Sequence, residues 1–247
     1  MKQPIYLSGV RMPGLDTLCR VQGDSLPVGL LVQPATARLL RDAASHYSWL
    51  GIDNGCFSAR TRATFTLDRY ARLVERALAT FGDFVLFVAA PDVPFDWAGT
   101  LRASLPTLAT IRSWGAPAAL VLQDGATPEQ IPWSEVDAVF VGGSTAWKAG
   151  PEAEAVVRAA CHRGVWVHMG RVNSMKRLTR AAEMGCDSAD GTYLLHAGPA
   201  GVTDLCRWAE GVEAVRTRRV ELATLEAMGT PLLDPERRRA LELAGWL

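Results

Sequence analysis

The sequence lacks several features that would narrow its function. Its 26 basic and 26 acidic side chains cancel, so no overall charge predicts binding to nucleic acid or to an acidic surface. No apolar run approaches the roughly 18 residues needed to cross a bilayer, and the first residues lack the apolar stretch of a secretory signal. We therefore expect a cytoplasmic protein that does not bind membranes.

Metal-binding and disulfide patterns are also missing. The 5 cysteines form neither a CxxC pair nor a paired framework, which predicts free thiols in a reducing compartment. The 4 histidines do not stand at ligand spacing with those cysteines, so we expect no metal and no cofactor. A metal-dependent barrel remains an alternative, with His46 and His168 as its candidate ligands.

The chain does contain a regular alternation of apolar runs and amphipathic stretches. We predict strands at 5–8, 29–33, 49–53, 84–90, 118–123, 138–141, 165–169 and 186–190. We predict helices at 35–46, 67–80, 97–113, 152–162 and 173–184. The helix at 67–80 has Thr66 in place to cap its start and Gly82 just past its end.

This alternation indicates a fold class. Continuous apolar runs are typical of strands that are buried on both faces of a parallel sheet. Eight such strands with intervening helices predict an α/β protein, a (β/α)8 barrel, in one domain over residues 1–247. From about 203 to 247 the chain favours helix and would form a C-terminal extension of the barrel.

Polar residues, glycines and one methionine stand at or just after the carboxyl ends of the predicted strands. They are Asp53, Asp92, Gln123, Gly142, Gly143, Met169, Gly170, Arg171 and Asp190. A single Asp after a strand is more often a helix cap. In a (β/α)8 barrel, however, all carboxyl ends meet at one mouth, where active sites are built. The whole set therefore predicts a site there.

The stretch GCDSADGT at 185–192 places Asp187 and Asp190 three residues apart on the last strand. Aspartate is a poor strand former and is costly in a core unless it is paired. We expect Asp190 to face the mouth. For Asp187 we favour a structural role, capping a turn or orienting a neighbour.

Five short motifs resemble those of the tRNA-guanine transglycosylases, in the same order along the chain. DNGCFS looks like that family's Asp-Ser-Gly-Gly-Phe-Gln, LVLQDG like its Val-Gln-Gly, and VFVGGS like its Gly-Gly turn. HMGRVN is similar to its His-Tyr-Leu-Met-Gly-Val-Gly, and GCDSAD to its Gly-Ile-Asp-Met-Phe-Asp. The match spans roughly residues 49–193, and the variants GGST and HMGR look closer to the phage DNA-guanine transglycosylase branch.

The resemblance implies a chemical role for two aspartates. Asp190 matches the nucleophile, which would attack C1′ of a nucleotide, expel guanine and leave a covalent glycosyl-aspartate. Asp53 matches the general acid and base, which would protonate the leaving base and deprotonate the incoming 7-deazaguanine. The implied reaction is exchange of guanine in DNA for a 7-deazaguanine such as 7-cyano-7-deazaguanine.

The resemblance also implies a slot for the purine. Phe57 and Met169 would sandwich the ring, and Asp92 would accept from N1–H and the exocyclic amine. Gln123 and the backbone N–H of Gly143 would donate to O6. The expected base-binding set is completed by Asn54, Gly142, Ser144 and Gly170, with Asn54 and Ser144 at the rim.

A basic cluster would hold the flanking phosphates. Its members are Arg171, Lys176, Arg177 and Arg180, to which Trp147 and Lys148 would add contacts. A solvated helix face is the other interpretation of this cluster. The tRNA enzymes carry a zinc site after the nucleophile, formed by three cysteines and a histidine. After Asp190 this sequence has a single cysteine, Cys206, and no histidine beyond His196, so no zinc subdomain is expected and DNA is favoured over tRNA.

Three alternatives stay open from the sequence. The protein would be a tRNA enzyme, a base-exchange enzyme or glycosidase acting on a free nucleoside, or a noncatalytic subunit that keeps the barrel. Retention of both Asp53 and Asp190 argues against the noncatalytic subunit. Transglycosylases of this type often pair, which makes a homodimer one option.

Overall fold

The fold is described by a computed structural model over residues 4–23 and 26–227. Its eight strands are β1 (Ile5–Ser8), β2 (Val28–Val32), β3 (Leu50–Ile52), β4 (Val85–Ala89), β5 (Ala118–Leu122), β6 (Ala138–Val141), β7 (Trp166–Met169) and β8 (Ser188–Gly191). Each strand pairs in parallel with the next, and β8 pairs with β1, so the sheet closes. The predicted (β/α)8 barrel is confirmed.

Helices surround this barrel. They are α1 (Pro13–Gln22), α2 (Ala59–Ala63), α3 (Leu67–Phe81), α4 (Trp97–Ser113), α5 (Thr145–Ala149), α6 (Pro151–His162), α7 (Met175–Met184), α8 (Tyr193–Ala197) and α9 (Ala200–Ala227). The long α9 packs against α7 and α8, in agreement with a helical extension. The rest of the predicted C-terminal extension, residues 228–247, lies outside the described residues. No helix of the described segments has the length and apolar character that crossing a membrane requires.

Two local predictions are wrong. The stretch 35–46 forms two 3₁₀ helices, Pro34–Leu40 and Ala43–Ser45, in place of one α-helix. They are separated because Arg41 has an extended backbone and Asp42 a left-handed one with φ of 55°, neither of which continues a right-handed helix. Thr66 does precede α3, but its side chain makes no capping hydrogen bond, whereas Gly82 ends α3 with φ of 53° as expected.

The barrel separates two apolar regions because successive side chains on a strand point to opposite faces. Inside, Leu7, Phe87 and Phe140 form the centre of a small cluster. Outside, residues such as Val139 and Val167 pack against the helices in a much larger cluster. The interior is therefore filled by side chains, and open space is confined to the barrel's ends.

Gly51 on β3 makes room for this interior. A Cβ added there would lie 2.6 Å from Leu7 Cδ1 and 2.8 Å from Phe87 Cζ, both fully buried. Close packing leaves these side chains no space to move away without strain. A residue without a side chain at Gly51 is therefore a packing requirement of the barrel.

We expect Gly51→Ala to lower the free energy of unfolding by about 1–3 kcal/mol because the added methyl overpacks the barrel interior. Urea denaturation followed by circular dichroism measures this. The matched control is Gly14→Ala in α1, where an added Cβ meets nothing within 4 Å, and we expect it to be neutral or slightly stabilising. Equal stability of the two variants would contradict this account.

Candidate active site

A cavity of about 600 Å³ opens at the carboxyl ends of the strands. Most of the residues predicted from strand ends and from the resemblance line it, namely Asp53, Asn54, Phe57, Asp92, Gln123, Gly142, Gly170, Arg171 and Asp190. Residues that the sequence analysis did not select line it too, including Arg11, Gln33, Arg38, Phe95 and Leu195. A cavity of this size at this end of a barrel is where a small-molecule site is expected.

Asp190 lies on β8 with its side chain directed into the barrel. Its Oδ1 is 3.0 Å from Nε2 of His168, and its side chain is only 15% exposed. His168 is fully buried on the neighbouring β7, where its ring lies between those of Phe87 and Phe140 with centroids 4.6 and 4.4 Å away. The carboxylate at the floor of the cavity is thus fixed by a buried imidazole.

Asp53 directly follows β3 and faces the same cavity. Its Oδ1 accepts a hydrogen bond of 2.8 Å from the backbone N–H of Gly55, whose φ of 74° forms the tight turn. Burial, together with the negative charges of Asp190 and Asp92 and against the opposing effect of the Gly55 hydrogen bond, raises the pKa of Asp53 to about 7. Near neutral pH, this carboxyl group therefore exists in both protonation states.

Asp92 is held between two amide side chains. Asn54 Nδ2 donates to its Oδ1 over 3.0 Å, and Gln123 Nε2 donates to its Oδ2 over 2.7 Å. Further hydrogen bonds hold the two amides in place. Asn54 Nδ2 also donates to the Ala90 carbonyl, and Gln123 Oε1 accepts from the backbone N–H of Phe95. Burial raises the pKa of Asp92. The three side chains form a hydrogen-bonded array of donors and acceptors.

The rim of the cavity is aromatic and cationic. Phe57 and Phe95 meet edge to face with ring centroids 6.2 Å apart, and both are more than half exposed. The Arg171 guanidinium lies 5.4 Å from the Phe57 ring and 5.6 Å from the Phe95 ring, within cation–π range. Phe95 and Arg171 both have positive φ, 65° and 60°, an uncommon backbone conformation that tends to mark functional loops.

The expected sandwich of the purine by Phe57 and Met169 is not formed. His168 and Gly170 face the barrel interior, so Met169 between them points outward and joins the core under the helices. The aromatic partner available to Phe57 at the cavity is instead Phe95. The sequence offered one signal for Phe95, which lies with Asp92 in the loop that follows the predicted strand 84–90.

Two further expected base contacts are also absent from the cavity lining. The backbone N–H of Gly143 donates to the Leu122 carbonyl over 3.0 Å, so it has no hydrogen free for a ligand. Ser144 caps α5, and its hydroxyl donates to Asp124 over 2.5 Å. Both residues close the turn after β6 and do not reach the site.

The basic residues are divided between internal contacts and the surface. Arg171 donates to the carbonyls of Gly142 and Gly143, and Arg180 pairs with Glu154 over 2.6 Å. Lys176 and Arg177 are exposed on the first turn of α7, at the same end of the barrel as the cavity.

The suggested phosphate contacts from Trp147 and Lys148 are wrong because both side chains are buried. The Lys148 ammonium donates to the Gly170 carbonyl. Burial, reinforced by the charge of Arg171, lowers the pKa of Lys148 to about 8.

Asp187 lies at the opposite end of β8 from the cavity. Its Oδ2 accepts a hydrogen bond of 2.9 Å from the backbone N–H of Val167. This contact ties β7 to the start of β8, in line with the structural role expected. Within residues 4–23 and 26–227, no cluster of three or more His, Cys, Asp or Glu side chains is placed to hold a metal ion.

Comparisons with known proteins show similarity of fold only. The YdjI aldolase from Escherichia coli K12 is 13% identical, with 90% of this chain and 91% of that one covered and a TM-score of 0.51. A mandelate racemase/muconate lactonizing protein from Herpetosiphon aurantiacus is 14% identical, with 79% of this chain covered and a TM-score of 0.46. This chain spans 56% of the length of that protein. No protein-family model and no curated sequence matches the chain.

We expect Asp53→Asn to stabilise the protein at high pH. In the folded chain the pKa of Asp53 is about 7, against 3.8 for the unperturbed group. The proton is therefore retained on folding, and the associated stability, complete below about pH 4, is lost as the pH rises through 7. Asparagine retains an oxygen for the Gly55 N–H and does not ionise. Because the pKa rises from 3.8 to about 7 on folding, full ionisation costs up to about 4 kcal/mol, and at pH 8 the melting temperature of the variant should exceed that of the wild type by roughly 10 °C.

Thermal melts between pH 5 and pH 8 measure this difference, which should shrink toward pH 5. The matched control is Asp42→Asn on an exposed turn, whose melting temperature should follow the wild type throughout. A constant difference between Asp53→Asn and wild type across this range would show that ionisation of Asp53 is not its cause.

Proposed function

We propose that the protein is a base-exchange enzyme that replaces guanine in DNA by a 7-deazaguanine through a covalent intermediate on Asp190. The observation that carries the proposal is the presence of Asp53 and Asp190 in one cavity, where burial holds the pKa of Asp53 at about 7. The fold does not decide the matter, because (β/α)8 barrels host many chemistries, including that of the YdjI aldolase.

The two carboxyl groups support a two-step exchange. In the first step an oxygen of Asp190 bonds to C1′ while the C1′–N bond breaks, and Asp53 gives its proton to the departing guanine. In the second step Asp53 takes the proton of the incoming base, whose nitrogen bonds to C1′ as the C1′–O bond to Asp190 breaks. Asp53 is suited to both roles since its pKa lies near the working pH.

The array of Asn54, Asp92 and Gln123 supports recognition of a guanine-like edge. Each Asp92 oxygen has a remaining lone pair to accept from N1–H and the exocyclic amine, and Gln123 has a second amide hydrogen to donate to O6. Adenine presents the opposite pattern. The site differs from the family resemblance at its rim, where Phe57 and Phe95 replace the pair of Phe57 and Met169.

The polymer substrate rests on weaker support. Lys176 and Arg177 are exposed at the same end of the barrel as the cavity and would hold phosphates that flank a flipped nucleotide. The absence of the zinc motif from the sequence favours DNA over tRNA. A free nucleoside is the second candidate, favoured by the zero net charge and by the internal partners of Arg171 and Arg180.

The direct test is release of labelled guanine from duplex DNA, from tRNA or from a nucleoside in the presence of 7-cyano-7-deazaguanine. We expect release from DNA that requires the deazaguanine and that falls at least about 10⁴-fold in Asp190→Asn, since a nucleophile is lost. Denaturing gels of stalled reactions should show protein attached to DNA. The matched control is Asp187→Asn, three residues earlier and outside the cavity, which should keep its activity.

Each outcome of this test assigns the substrate. Release only from the nucleoside would replace the DNA proposal by the small-molecule enzyme, and release only from tRNA would replace it by the tRNA enzyme. Release from none of the three by folded protein would contradict base exchange.

We expect Lys176→Ala with Arg177→Ala to weaken DNA binding without altering the chemical step. Each lost phosphate contact should reduce the slope of log K against log salt by about 1. Binding measured by fluorescence anisotropy at several salt concentrations tests this. The control is Arg158→Ala, an exposed arginine on α6 paired with Glu154. An unchanged slope in the double variant would remove these two residues from the DNA interface.

A further inference from the structure

A line of hydrogen-bonded side chains runs through the barrel interior beneath the cavity. Trp166 Nε1 lies 3.0 Å from Ser188 Oγ, and Ser188 Oγ lies 2.9 Å from His168 Nδ1. His168 Nε2 then lies 3.0 Å from Asp190 Oδ1. Ser188 and His168 are fully buried. The line alternates between β7 and β8 and ends at the carboxylate that faces the cavity.

The donor and acceptor groups of its members favour one direction for each hydrogen bond. An indole N–H only donates, so Ser188 Oγ accepts from Trp166. The Ser188 hydroxyl hydrogen then goes to His168 Nδ1, which must be unprotonated. No hydrogen bond among the described residues gives this hydroxyl another acceptor. In a neutral ring the proton consequently sits on Nε2 and is donated to Asp190 Oδ1.

The surroundings of His168 keep the ring neutral and in place. Burial lowers its pKa, against the opposing effect of the Asp190 hydrogen bond and charge. The rings of Phe87 and Phe140 pack against it, so its plane cannot turn without displacing them. On the other side, a Cβ at Gly170 would lie 3.3 Å from Asp190 Oδ1, so glycine leaves room for the carboxylate.

We propose that His168 is a positioning residue which, through the chain Trp166–Ser188–His168, holds Oδ1 of Asp190 and presents Oδ2 as the nucleophilic oxygen. The role in catalysis rests on the proposed function, whereas the hydrogen-bond chain does not. Oδ2 makes no hydrogen bond among the described residues, in agreement with its being the oxygen left for a substrate. A carboxylate held by one oxygen has a fixed direction of attack, which is the source of an orientation effect on rate.

The first experiment measures the tautomer without reference to activity. In protein labelled with ¹⁵N-histidine, long-range ¹H–¹⁵N correlation spectra distinguish an Nε2–H ring from an Nδ1–H ring and from imidazolium. The His168 signals are those missing from His168→Phe, or from His168→Gln if the Phe variant does not fold. We expect an Nε2–H ring from pH 6 to 8, and Ser188→Ala should admit the Nδ1–H ring. An Nδ1–H ring or imidazolium in the wild type would overturn the inference.

The second experiment measures base exchange in two variants of His168. Phenylalanine fills the space between Phe87 and Phe140 but cannot donate, so kcat should fall about 100-fold with little change in KM. Glutamine carries an amide N–H that can reach Asp190, and should recover about tenfold of that loss. The matched control, His162→Gln at the exposed end of α6, should match the wild type.

The outcomes separate this inference from the proposed function. Equal losses in the two His168 variants, or a loss confined to KM, would overturn the positioning role. If His168→Phe does not fold, Ser188→Ala replaces it, and an unchanged kcat there would overturn the role. If the protein exchanges no base but His168 is an Nε2–H ring, the missing activity contradicts the proposed function, and the spectra still support the hydrogen-bond chain.

Discussion

The alternation of side chains along parallel strands is the constraint on which this site depends. In a closed barrel every second residue points inward, and only the last inward positions of each strand reach the mouth. Directly after β7 and on β8 those positions are Gly170 and Asp190, with His168 and Ser188 one layer below. The same alternation that fills the interior with Phe87 and Phe140 thus also supplies the nucleophile's support.

The fold and the floor of the site were predictable from the sequence because they depend on short-range patterns. Apolar runs located the strands, and their carboxyl ends located Asp53, Gln123 and Asp190 without knowledge of register. The face of the sheet to which each side chain points was harder to predict. Met169 follows the family motif closely, yet a shift of one residue on a strand moves a side chain to the opposite face. Strand boundaries were not known to that precision from the sequence.

Other features depend on contacts between distant segments and had no local signal. Phe95 reaches the rim because its backbone N–H donates to Oε1 of Gln123, which directly follows the next strand, β5. The cap of Ser144 requires Asp124, twenty residues earlier, to accept from both its N–H and its hydroxyl. Trp147 was expected at the surface as a phosphate contact, but the turn after β6 packs its side chain against the core. Such contacts exist only once the barrel has closed.

The arrangement of charges explains how so polar an interior remains compatible with folding. A buried carboxylate is costly unless it is hydrogen-bonded or neutralised. Asp92 is satisfied by two amides and Asp190 by an imidazole, whereas the partners of Asp53 are the backbone N–H groups of Gly55 and Asn54, and its pKa is raised to about 7. This raised pKa allows Asp53 to exchange protons near neutral pH. Since added donors would lower the pKa of Asp53, its weak solvation and its suitability for acid–base chemistry have the same physical cause.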